Sequence, residues 1–510
     1  MNRKKYFERM NRLKKNYDVE KQHKKKKYHA IERILLLLDK GSFREIGSGI
    51  NNYVFNHNEK NEKSTEYDGV ITGRGTIAGK TVFIFSQDFT ISGGSIGLNH
   101  GRKIANTIKL AIKAKCPVIG LYDSGGARIS EGINALAGCG EMMYQNTCAS
   151  GVIPQISIVA GPCAGAAAYA PAITDFVFIV EQIGQLYITG NKVIERVTGE
   201  KCSLQELGGA KVHSEKSGVA HFSFTSEKKC YAQVRKLIKT LPSSFDEKRE
   251  YKDLSYYDTQ QKVNELVPRD NKLPYSMHKL IEKIIDFDSF IEIHKHFATN
   301  MITGFAQINH ITIGIVANNP MNNSGCIDHD SSDKAARFVR FCDSFHIPIL
   351  TLVDTPGYLP GISEEHQGII RHGAKLLFAY SEATTTKITV IVRKAYGGAY
   401  IAMGSKHLGA DYVYACPNAS LAVMGAEGAV SILYQKELSN TPDDQVDAFK
   451  DKLVGEYIQK YMNPAIAQSE GYVDDVISLD EIRQRVFEDI KSFEKKSTGA
   501  IKKKHGNIPL

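Results

Sequence analysis

Short apolar runs alternate with segments of helical character along much of this 510-residue chain. The runs 118–122, 156–160 and 176–180 have the length and composition of buried strands. Between them, residues 100–113 have helical spacing, and a further helix is predicted around residues 132–145. This alternation predicts an α/β protein.

The N-terminal part of the chain adds a helix and a pair of strands. Residues 3–39 have a helical pattern, and Gly41 is a suitable stop for that helix. Two strand-like runs, 69–72 and 81–85, flank a glycine-containing turn that we predict at 73–79.

The second half of the chain repeats the first. Pro117-Val-Ile-Gly-Leu-Tyr-Asp-Ser-Gly-Gly126 matches Pro348-Ile-Leu-Thr-Leu-Val-Asp-Thr-Pro-Gly357. Gly165–Ala166 matches Gly398–Ala399 in the same order along the chain. Ordered matches whose offset grows slowly, from 231 to 233 residues here, indicate a duplicated α/β domain, because solenoid repeats are far shorter.

Composition divides the chain into four parts. We predict a basic N-terminal helical arm (1–40), a first domain (41–245), a linker (246–275) and a second domain (276–510). The linker is polar, charged and proline-containing, and it lacks a clear period.

Each predicted domain contains a strand that runs into a turn of small residues. Such a turn presents bare backbone N–H groups, and a helix that starts there places them at its positive end, which suits an oxyanion. We therefore predict two oxyanion holes, one formed by Gly165 and Ala166 and one by Gly398 and Ala399. A single pair would be better explained by tight packing, but two pairs at equivalent places in a duplicated domain favour a function. Two such holes imply a reaction with two carbonyl groups. One of them could be a thioester that becomes an enolate, and the other would belong to a carboxyl donor.

Charge and composition narrow the class of partner. Residues 1–29 hold 12 Lys/Arg and 3 Asp/Glu, and the rest of the chain is balanced. Basicity confined to an arm argues against a nucleic-acid-binding body, and Lys24–Lys27 is interpreted as a solvated segment. No apolar stretch of about 18 residues or secretory signal is visible, so membrane insertion is not expected.

Cysteine and histidine usage adds two expectations. The nine cysteines are scattered singly, which favours a reducing compartment and a cytoplasmic location. The sixteen histidines form no HExxH or comparable cluster, so no metal site is predicted.

Three motifs have simpler explanations than catalysis. The dinucleotide-like spacing of residues 73–78 precedes a strand, whereas a true fingerprint precedes a helix. Ser95 lies in a G-x-S-x-G pattern that does not directly follow a strand, as a nucleophile elbow should. Cys163 is interpreted as a small buried residue.

Several long motifs resemble the carboxyltransferase (β) subunits of biotin-dependent acyl-CoA carboxylases, especially the propionyl-CoA carboxylase and methylmalonyl-CoA decarboxylase group. In the first half these are Asp123-Ser-Gly-Gly-Ala-Arg-Ile-Ser-Glu-Gly132 and Gly161-Pro-Cys-Ala-Gly165. In the second half they are Val353-Asp-Thr-Pro-Gly-Tyr-Leu-Pro-Gly361 and Arg393-Lys-Ala-Tyr-Gly-Gly-Ala-Tyr400, followed by the C-terminal Asn507-Ile-Pro-Leu510.

The resemblance implies two crotonase-like domains in each subunit and a hexamer built as a trimer of dimers. Gly165 and Ala166 would hold the thioester oxygen of an acyl-CoA, and Gly398 and Ala399 the ureido oxygen of carboxybiotin. Biotin would then act as the base that takes the α-proton. The residues implied for substrate binding are Gly125, Gly126, Ala127, Arg128, Tyr169, Tyr400 and Ile401.

The chain departs from the propionyl-CoA carboxylase pattern at two positions. It has Ala166 and Ile401 where those enzymes usually have Gly and Asp, respectively. Ala168 and Ala170 replace the usual Val and Ser. Ile401 would make the acyl pocket more apolar, and it also resembles decarboxylase and transcarboxylase subunits, so both directions of reaction stay open.

The chain contains no Ala-Met-Lys-Met biotinylation site and no recognisable ATP-binding module. The resemblance therefore implies a separate biotin carboxylase and a separate biotin carrier. A duplicated CoA-binding scaffold without chemistry is the remaining, remote alternative.

Overall fold

The structure is a computed structural model that describes residues 17–50, 68–247, 263–271, 273–494, 496 and 503–510. The chain divides into two compact units, residues 1–247 and 248–510. In the described residues, each unit contains one eight-stranded sheet with helices. Most of the predicted linker, like residues 1–16 of the predicted arm, lies outside the described residues.

The first unit follows the alternation that its apolar pattern predicts. Its elements in chain order are α1 (Tyr17–Lys24), α2 (Ala30–Leu37), β1 (Arg44–Ile46), β2 (Val70–Ile77), β3 (Lys80–Gln87), α3 (Leu98–Ala114), β4 (Val118–Ser124), α4 (Ile133–Ala149), β5 (Gln155–Ala164), α5 (Ala166–Ile173), β6 (Phe176–Val180), β7 (Gln185–Tyr187), α6 (Asn191–Thr198), α7 (Leu204–Gly208), α8 (Ala210–Glu215), β8 (Phe222–Phe224) and α9 (Glu227–Thr240).

The sheet of the first unit runs in the order β1-β2-β3-β4-β5-β6-β8, and β7 pairs with β5 beyond the end of β6. The β1-β2-β3 ladder is antiparallel, and the strands from β3 onward pair in parallel. Strands β4 and β6 are buried along their whole length, as their continuous apolar runs require.

The predicted turn at 73–79 is wrong. Strand β2 continues through Gly73, and the hairpin turns at Ala78 and Gly79, whose φ angles are 50° and 81°. A Cβ at Gly73 would lie 2.4 Å from the carbonyl oxygen of Arg44. That glycine therefore permits close packing of β1 on β2 rather than a turn. The hairpin itself is confirmed, and the dinucleotide-like spacing of residues 73–78 precedes a strand rather than a helix.

The single helix predicted over 3–39 is replaced, in the described residues, by α1 and α2 with a break that includes Lys26 at a φ of 58°. Helix α2 begins at a capping box formed by His29 and Glu32. Its Ile34 and Leu37 are fully buried. The second half of the predicted arm is therefore part of the core of the first unit.

The second unit repeats this plan. Its elements are α10 (Met277–Ile284), β9 (Ile291–Ile293), β10 (Met301–Ile308), β11 (Ile311–Asn318), α11 (His329–Ser344), β12 (Ile349–Thr355), α12 (Ile362–His366), α13 (Ile369–Glu382), β13 (Lys387–Tyr396), α14 (Gly397–Ala402), β14 (Tyr412–Ala415), β15 (Ser420–Ala422), α15 (Ala426–Leu433), α16 (Gln435–Ser439), α17 (Val446–Tyr457), α18 (Pro464–Ser469), β16 (Asp475–Val476) and α19 (Ile482–Ser492).

The sheet of the second unit runs β16-β14-β13-β12-β11-β10-β9, with β15 paired to β13. It has the same antiparallel edge, the same parallel centre and the same side pairing as the first sheet. Each sheet also shifts register where its fourth strand ends, between Tyr122 and Ser124 and between Val353 and Thr355. The duplication predicted from the sequence is thus present in strand order and in local irregularity.

Candidate active site

The centre of the first unit is the carboxyl end of β5, where the strand changes neighbours. Residues 156–159 pair with β6 and residues 162–164 pair with β7. Gly161 lies between these two stretches, and a Cβ there would come 1.9 Å from Oδ1 of Asp123. Glycine is therefore required at 161 to leave room for the buried Asp123 carboxylate at the end of β4.

Asp123 belongs to a buried charge cluster that includes the N-terminal helices. Lys27 Nζ donates to Asp123 Oδ1 at 2.7 Å, and Arg33 Nη1 donates to Oδ2 at 3.0 Å. Arg33 also donates to Glu227 at 2.9 Å and to the Ala160 carbonyl at 2.7 Å. Burial raises the pKa of Asp123, although both cations oppose the shift. The interpretation of Lys27 as solvated is wrong, because its side chain is 6 % exposed and paired.

The first predicted oxyanion hole lies directly after β5. Gly165 adopts φ 58° and ψ −132°, and its N–H donates to the Tyr187 carbonyl at 3.0 Å. Helix α5 begins at the next residue. Within the part of the chain that the structure describes, the N–H groups of Ala166 and Ala167 have no backbone acceptor. This unpaired helix start, which we call the first cradle, can donate to a carbonyl or enolate oxygen.

The second predicted oxyanion hole has the same construction. Strand β13 ends at Tyr396, Gly397 adopts a φ of 58°, and α14 follows. The N–H groups of Gly398 and Ala399 have no backbone acceptor among the described residues. We call this the second cradle. Gly398 is exposed, and of the described residues a Cβ there would meet only Tyr358, at 3.8 Å.

The predicted one-to-one match of Gly165–Ala166 with Gly398–Ala399 is wrong by one residue. The equivalent strands span Gln155–Ala164 and Lys387–Tyr396, so Gly165 corresponds to Gly397 and Ala166 to Gly398. The shared φ of 58° at Gly165 and Gly397 supports this register. The error arises in the run Gly397-Gly398-Ala399, because the sequence alone does not indicate which of the two glycines is equivalent to Gly165.

Residues 125–128 approach the first cradle. Gly126 has a φ of 101°, and a Cβ there would lie 2.8 Å from the carbonyl oxygen of Ala164, the last residue of β5. The Gly126 carbonyl accepts from the Ile96 N–H at 2.8 Å, and the Gly125 N–H donates to the Gly93 carbonyl at 2.9 Å. Ala127 bridges to Ile96. Of these predicted substrate-binding positions, Gly126 therefore lies against the strand end that leads into the first cradle, and the neighbouring positions are held by Gly93 and Ile96.

Arg128 differs from these neighbours because its guanidinium already makes hydrogen bonds within the chain. Its Nη1 donates to Asp68 at 2.6 Å and to Glu131 at 2.7 Å, and its Nη2 donates to the Ser95 carbonyl at 2.8 Å. Arg128 is 7 % exposed. These contacts fix the end of the loop and leave little of the guanidinium to a ligand.

The remaining predicted residues lie on the helices that start at the cradles. Tyr169 is exposed on α5, and Ile401 is exposed at the corresponding place on α14. Tyr400, one residue before Ile401, has a buried hydroxyl without a hydrogen-bond partner among the described residues. Burial raises its pKa to about 12. Tyr169 and Ile401 thus lie at equivalent positions on the helices that begin at the two cradles.

Two residues set aside in the sequence behave as expected. Cys163 is fully buried on β5, and burial raises the pKa of its thiol strongly. Ser95 follows a short 3₁₀ turn rather than a strand, and its hydroxyl donates to the Ser92 carbonyl at 2.7 Å. Neither is prepared to act as a nucleophile.

Sequence reasoning missed Tyr358 beside the second cradle. Its ring lies 3.8 Å from a Cβ placed on Gly398 and 3.1 Å from one placed on Gly373 of α13. Burial raises the pKa of its hydroxyl to about 12. Tyr358 lies inside the motif Val353–Gly361, but the pattern of residues does not say which side chain turns toward the cradle.

The described residues contain no group of three or more His, Cys, Asp or Glu side chains arranged to hold a metal ion. None of the helices in the described residues has the length and apolarity needed to cross a membrane.

The fold is that of an α/β protein of two crotonase-like units, each with a helix that starts at or directly after a positive-φ glycine and whose first N–H groups have no backbone acceptor among the described residues. Residues 21–508 match the family of the carboxyl transferase domain. The chain belongs to that carboxyl transferase family, and the resemblance found in the sequence is confirmed.

Similar proteins span nearly the whole chain. Propionyl-CoA carboxylase, carboxyltransferase subunit, of Haloferax mediterranei is 47% identical and covers 96% of this chain and 95% of its own. Methylmalonyl-CoA decarboxylase subunit alpha of Veillonella parvula is 46% identical, with 96% and 95% covered. The crystal structure of transcarboxylase 12S, a hexamer with hydrolysed methylmalonyl-coenzyme A bound, has a TM-score of 0.92 at 44% identity and covers 97% and 95%. The predicted fold is confirmed by this likeness.

Proposed function

We propose that this chain transfers a carboxyl group from carboxybiotin on a carrier protein to the α-carbon of a short-chain acyl-CoA such as acetyl-CoA or propionyl-CoA. The observation that carries the proposal is the pair of equivalent cradles, one in each unit of a carboxyl transferase chain. Each has unpaired N–H donors at a helix start, where an oxygen that gains charge is stabilised.

The acyl-CoA belongs to the first unit in this proposal. Gly165 shapes the turn, and Ala166 offers an N–H to the thioester oxygen as the enolate forms. The flanking positions Gly125, Gly126 and Ala127 would contact the CoA thioester, and Arg128 would hold their loop. Tyr169 would line the space beside the acyl group.

The ureido group of biotin belongs to the second unit. Its oxygen fits the Gly398 and Ala399 N–H groups, because a neutral urea carbonyl needs donors and no counter-charge. The open space at Gly398, where a Cβ would meet only the Tyr358 ring, is consistent with a close approach. Tyr400 and Ile401 would form the adjoining surface, and Ile401 would make it apolar.

Biotin supplies the carboxyl group and, when that group has left, the base for the α-proton. The chain's own residues then need only bind, orient and stabilise charge, which agrees with cradles made of backbone rather than of an acid–base pair. Losing one such donor costs about 10² to 10³ in rate in a measured case.

The reverse direction is a specific second candidate. Relatives of similar identity are named as methylmalonyl-CoA decarboxylase and methylmalonyl-CoA carboxyltransferase subunits. Because both directions use the same two oxyanions, the cradles do not discriminate between them. Measuring whether the assembled enzyme gives net carboxylation or net decarboxylation would discriminate between the two directions.

We further propose that the chain works as a hexamer with a separate biotin carboxylase and biotin carrier in the cytoplasm. The hexamer is supported by the transcarboxylase 12S relative. The compartment is supported by nine free cysteines.

The test replaces Gly398 with valine in the assembled enzyme. Gly398 has no positive φ and no close neighbour, so Gly398→Val should fold and block the second cradle. We expect biotin-dependent carboxyl transfer to fall at least about 100-fold, as for loss of an oxyanion donor. Gly455→Val, at an exposed α17 position with nothing within 4 Å, is the control.

Full turnover by Gly398→Val would contradict the proposal. Tight CoA binding by the wild type without any biotin-dependent turnover would instead support the scaffold alternative.

A further inference from the structure

The segment between β12 and α13 depends on a few specific contacts for its position. Gly357, Gly361 and Gly368 adopt φ angles of 146°, 145° and 83°. A Cβ at Gly357 or Gly361 would have no neighbour within 4 Å. Glycines at such angles make the backbone permissive, so the segment must be held from outside.

One end of the segment is tied to the chain just before α11. The Gly357 carbonyl accepts from the Ile327 N–H at 3.1 Å, and the Leu359 N–H donates to the Ile327 carbonyl at 2.8 Å. Tyr358 lies between these two bonds, with its ring beside Gly398 of the second cradle. The wall of the cradle therefore moves with this segment.

The other end is tied through α12 to the first residue of α11. Oε2 of Glu364 accepts from His329 Nδ1 at 2.9 Å and from the His329 N–H at 3.3 Å. The two side chains are 13% and 20% exposed. This pair, which we call the clasp, lies near the surface, so its loss should release α12 without removing core packing.

Other charged groups surround the clasp. On α11 these are Asp330, 3.6 Å from His329 Nε2, and the N-cap Asp328. On α13, the His372 ring lies 5.9 Å from the His329 ring. His372 in turn contacts Asp333, Lys375 and Arg371.

The clasp is also titratable. Burial acts to lower the pKa of His329, but its hydrogen bond to Glu364 and the nearby negative charges outweigh burial, so the pKa is raised. A raised histidine pKa means that the charged clasp is fully formed below the ordinary histidine range and is lost as pH rises through the folded value.

We propose that Glu364, acting through His329, is a positioning residue for the second cradle, because the clasp holds α12 on α11 and thereby fixes Tyr358 beside Gly398. The inference rests on the proposed function, in which this cradle receives the ureido group. It predicts an effect on the biotin side of the reaction alone.

The experiment compares Glu364→Ala with Glu365→Ala in the full chain. Glu365 is the next residue on α12 and is exposed, which makes it a matched control. With free biotin as the probe and methylmalonyl-CoA as the carboxyl donor, we expect Glu364→Ala to raise the KM for biotin about threefold to tenfold. The KM for the CoA ester should stay within about twofold, and Glu364→Gln, which keeps an acceptor oxygen, should recover part of the loss.

Two further readouts separate positioning from general stability. Hydrogen exchange at the Leu359 amide should be faster in Glu364→Ala than in Glu365→Ala, because the segment is released. The KM for biotin of the wild type should rise with pH above the histidine range, and Glu364→Ala should lose that dependence. His329→Ala should reproduce the effect, and the double variant should not be additive.

Unchanged exchange at Leu359, or an equal rise of both KM values with a lowered Tm, would overturn the inference. If Gly398→Val abolishes transfer but Glu364→Ala behaves as Glu365→Ala, the positioning role fails and the proposed function stands. If Gly398→Val retains transfer, the proposed function itself fails.

Discussion

Replacing Arg33 by methionine should destabilise the first unit far more than the same replacement at an exposed arginine. Arg33 is 1% exposed and lies between two buried carboxylates, Glu227 at 2.9 Å and Asp123 at 3.0 Å. Methionine keeps the length and apolar volume of the side chain but leaves both carboxylates without their shared cation. Removing one partner of a buried ion pair costs about 3–5 kcal/mol.

Arg235 provides the comparison in the same unit. It pairs with Asp39 at 2.7 Å and donates to the Leu37 carbonyl at 2.7 Å, but the two side chains are 35% and 28% exposed. Exposed pairs contribute about 0–1 kcal/mol, because water screens them and replaces them on removal. The two variants should therefore differ by about 2–5 kcal/mol.

The assay is native-state hydrogen exchange at amides of β5, which reports the opening free energy of the first unit without assuming that a two-unit chain unfolds in one step. Combining Arg33→Met with Glu227→Gln should recover part of the loss, since Glu227 then no longer carries a buried charge without its cation, whereas Asp123 keeps Lys27. Equal opening energies for Arg33→Met and Arg235→Met would refute the view that the cluster stabilises this unit.

Two further predictions concern single positions. Burial raises the pKa of Asp489, which accepts from the Tyr414 hydroxyl at 2.8 Å, to about 6, so its contribution is present below pH 4 and lost as pH rises through 6. Asp489→Asn should stabilise the chain at pH 8 by at most about 3 kcal/mol and not at pH 4, which urea unfolding at the two pH values would check. Gly126→Ala forces a non-glycine φ of 101° and a Cβ 2.8 Å from the Ala164 carbonyl, so it should cost about 1–3 kcal/mol and weaken acyl-CoA binding. Gly125→Ala, with no positive φ, should change Tm and binding less.

The periodicity of the chain predicts the helices and strands well, because a buried strand and an amphipathic helix each require a characteristic pattern of apolar residues. Helix α3 and strands β4, β5 and β6 all appear within a few residues of the predicted ranges. The glycines are harder to interpret. Gly73 fits a turn in the sequence, but in the structure it admits a neighbouring strand, and only the tertiary contact distinguishes the two uses.

The sequence predicts that both cradles exist, but it does not predict that the Gly165 N–H already has a hydrogen-bond acceptor. A small-residue turn after a buried strand predicts free N–H groups, and both turns have them. That the Gly165 N–H is taken by the Tyr187 carbonyl depends on β7, a three-residue strand with no clear pattern of its own. Lys27 was misjudged for a similar reason, because its carboxylate partner is 96 positions away.

Each unit pairs a buried aspartate with an arginine, but the two arginines come from different elements. Asp123 and Asp354 lie at equivalent strand ends, and their N–H groups donate to the side chains of Gln87 and Asn318. In the second unit the cation is Arg393 on β13 itself, at 3.1 Å from Asp354.

The position equivalent to Arg393 in the first unit is Gly161, which leaves a gap that Arg33 fills from α2. The negative charge of the buried aspartate that precedes each cradle must be compensated by a cation. Where the neighbouring strand carries no arginine, the cation must come from elsewhere in the chain. Lys27 and helix α2 are thus tied by charge to the end of β4, which explains why this part of the predicted basic arm is packed into the core.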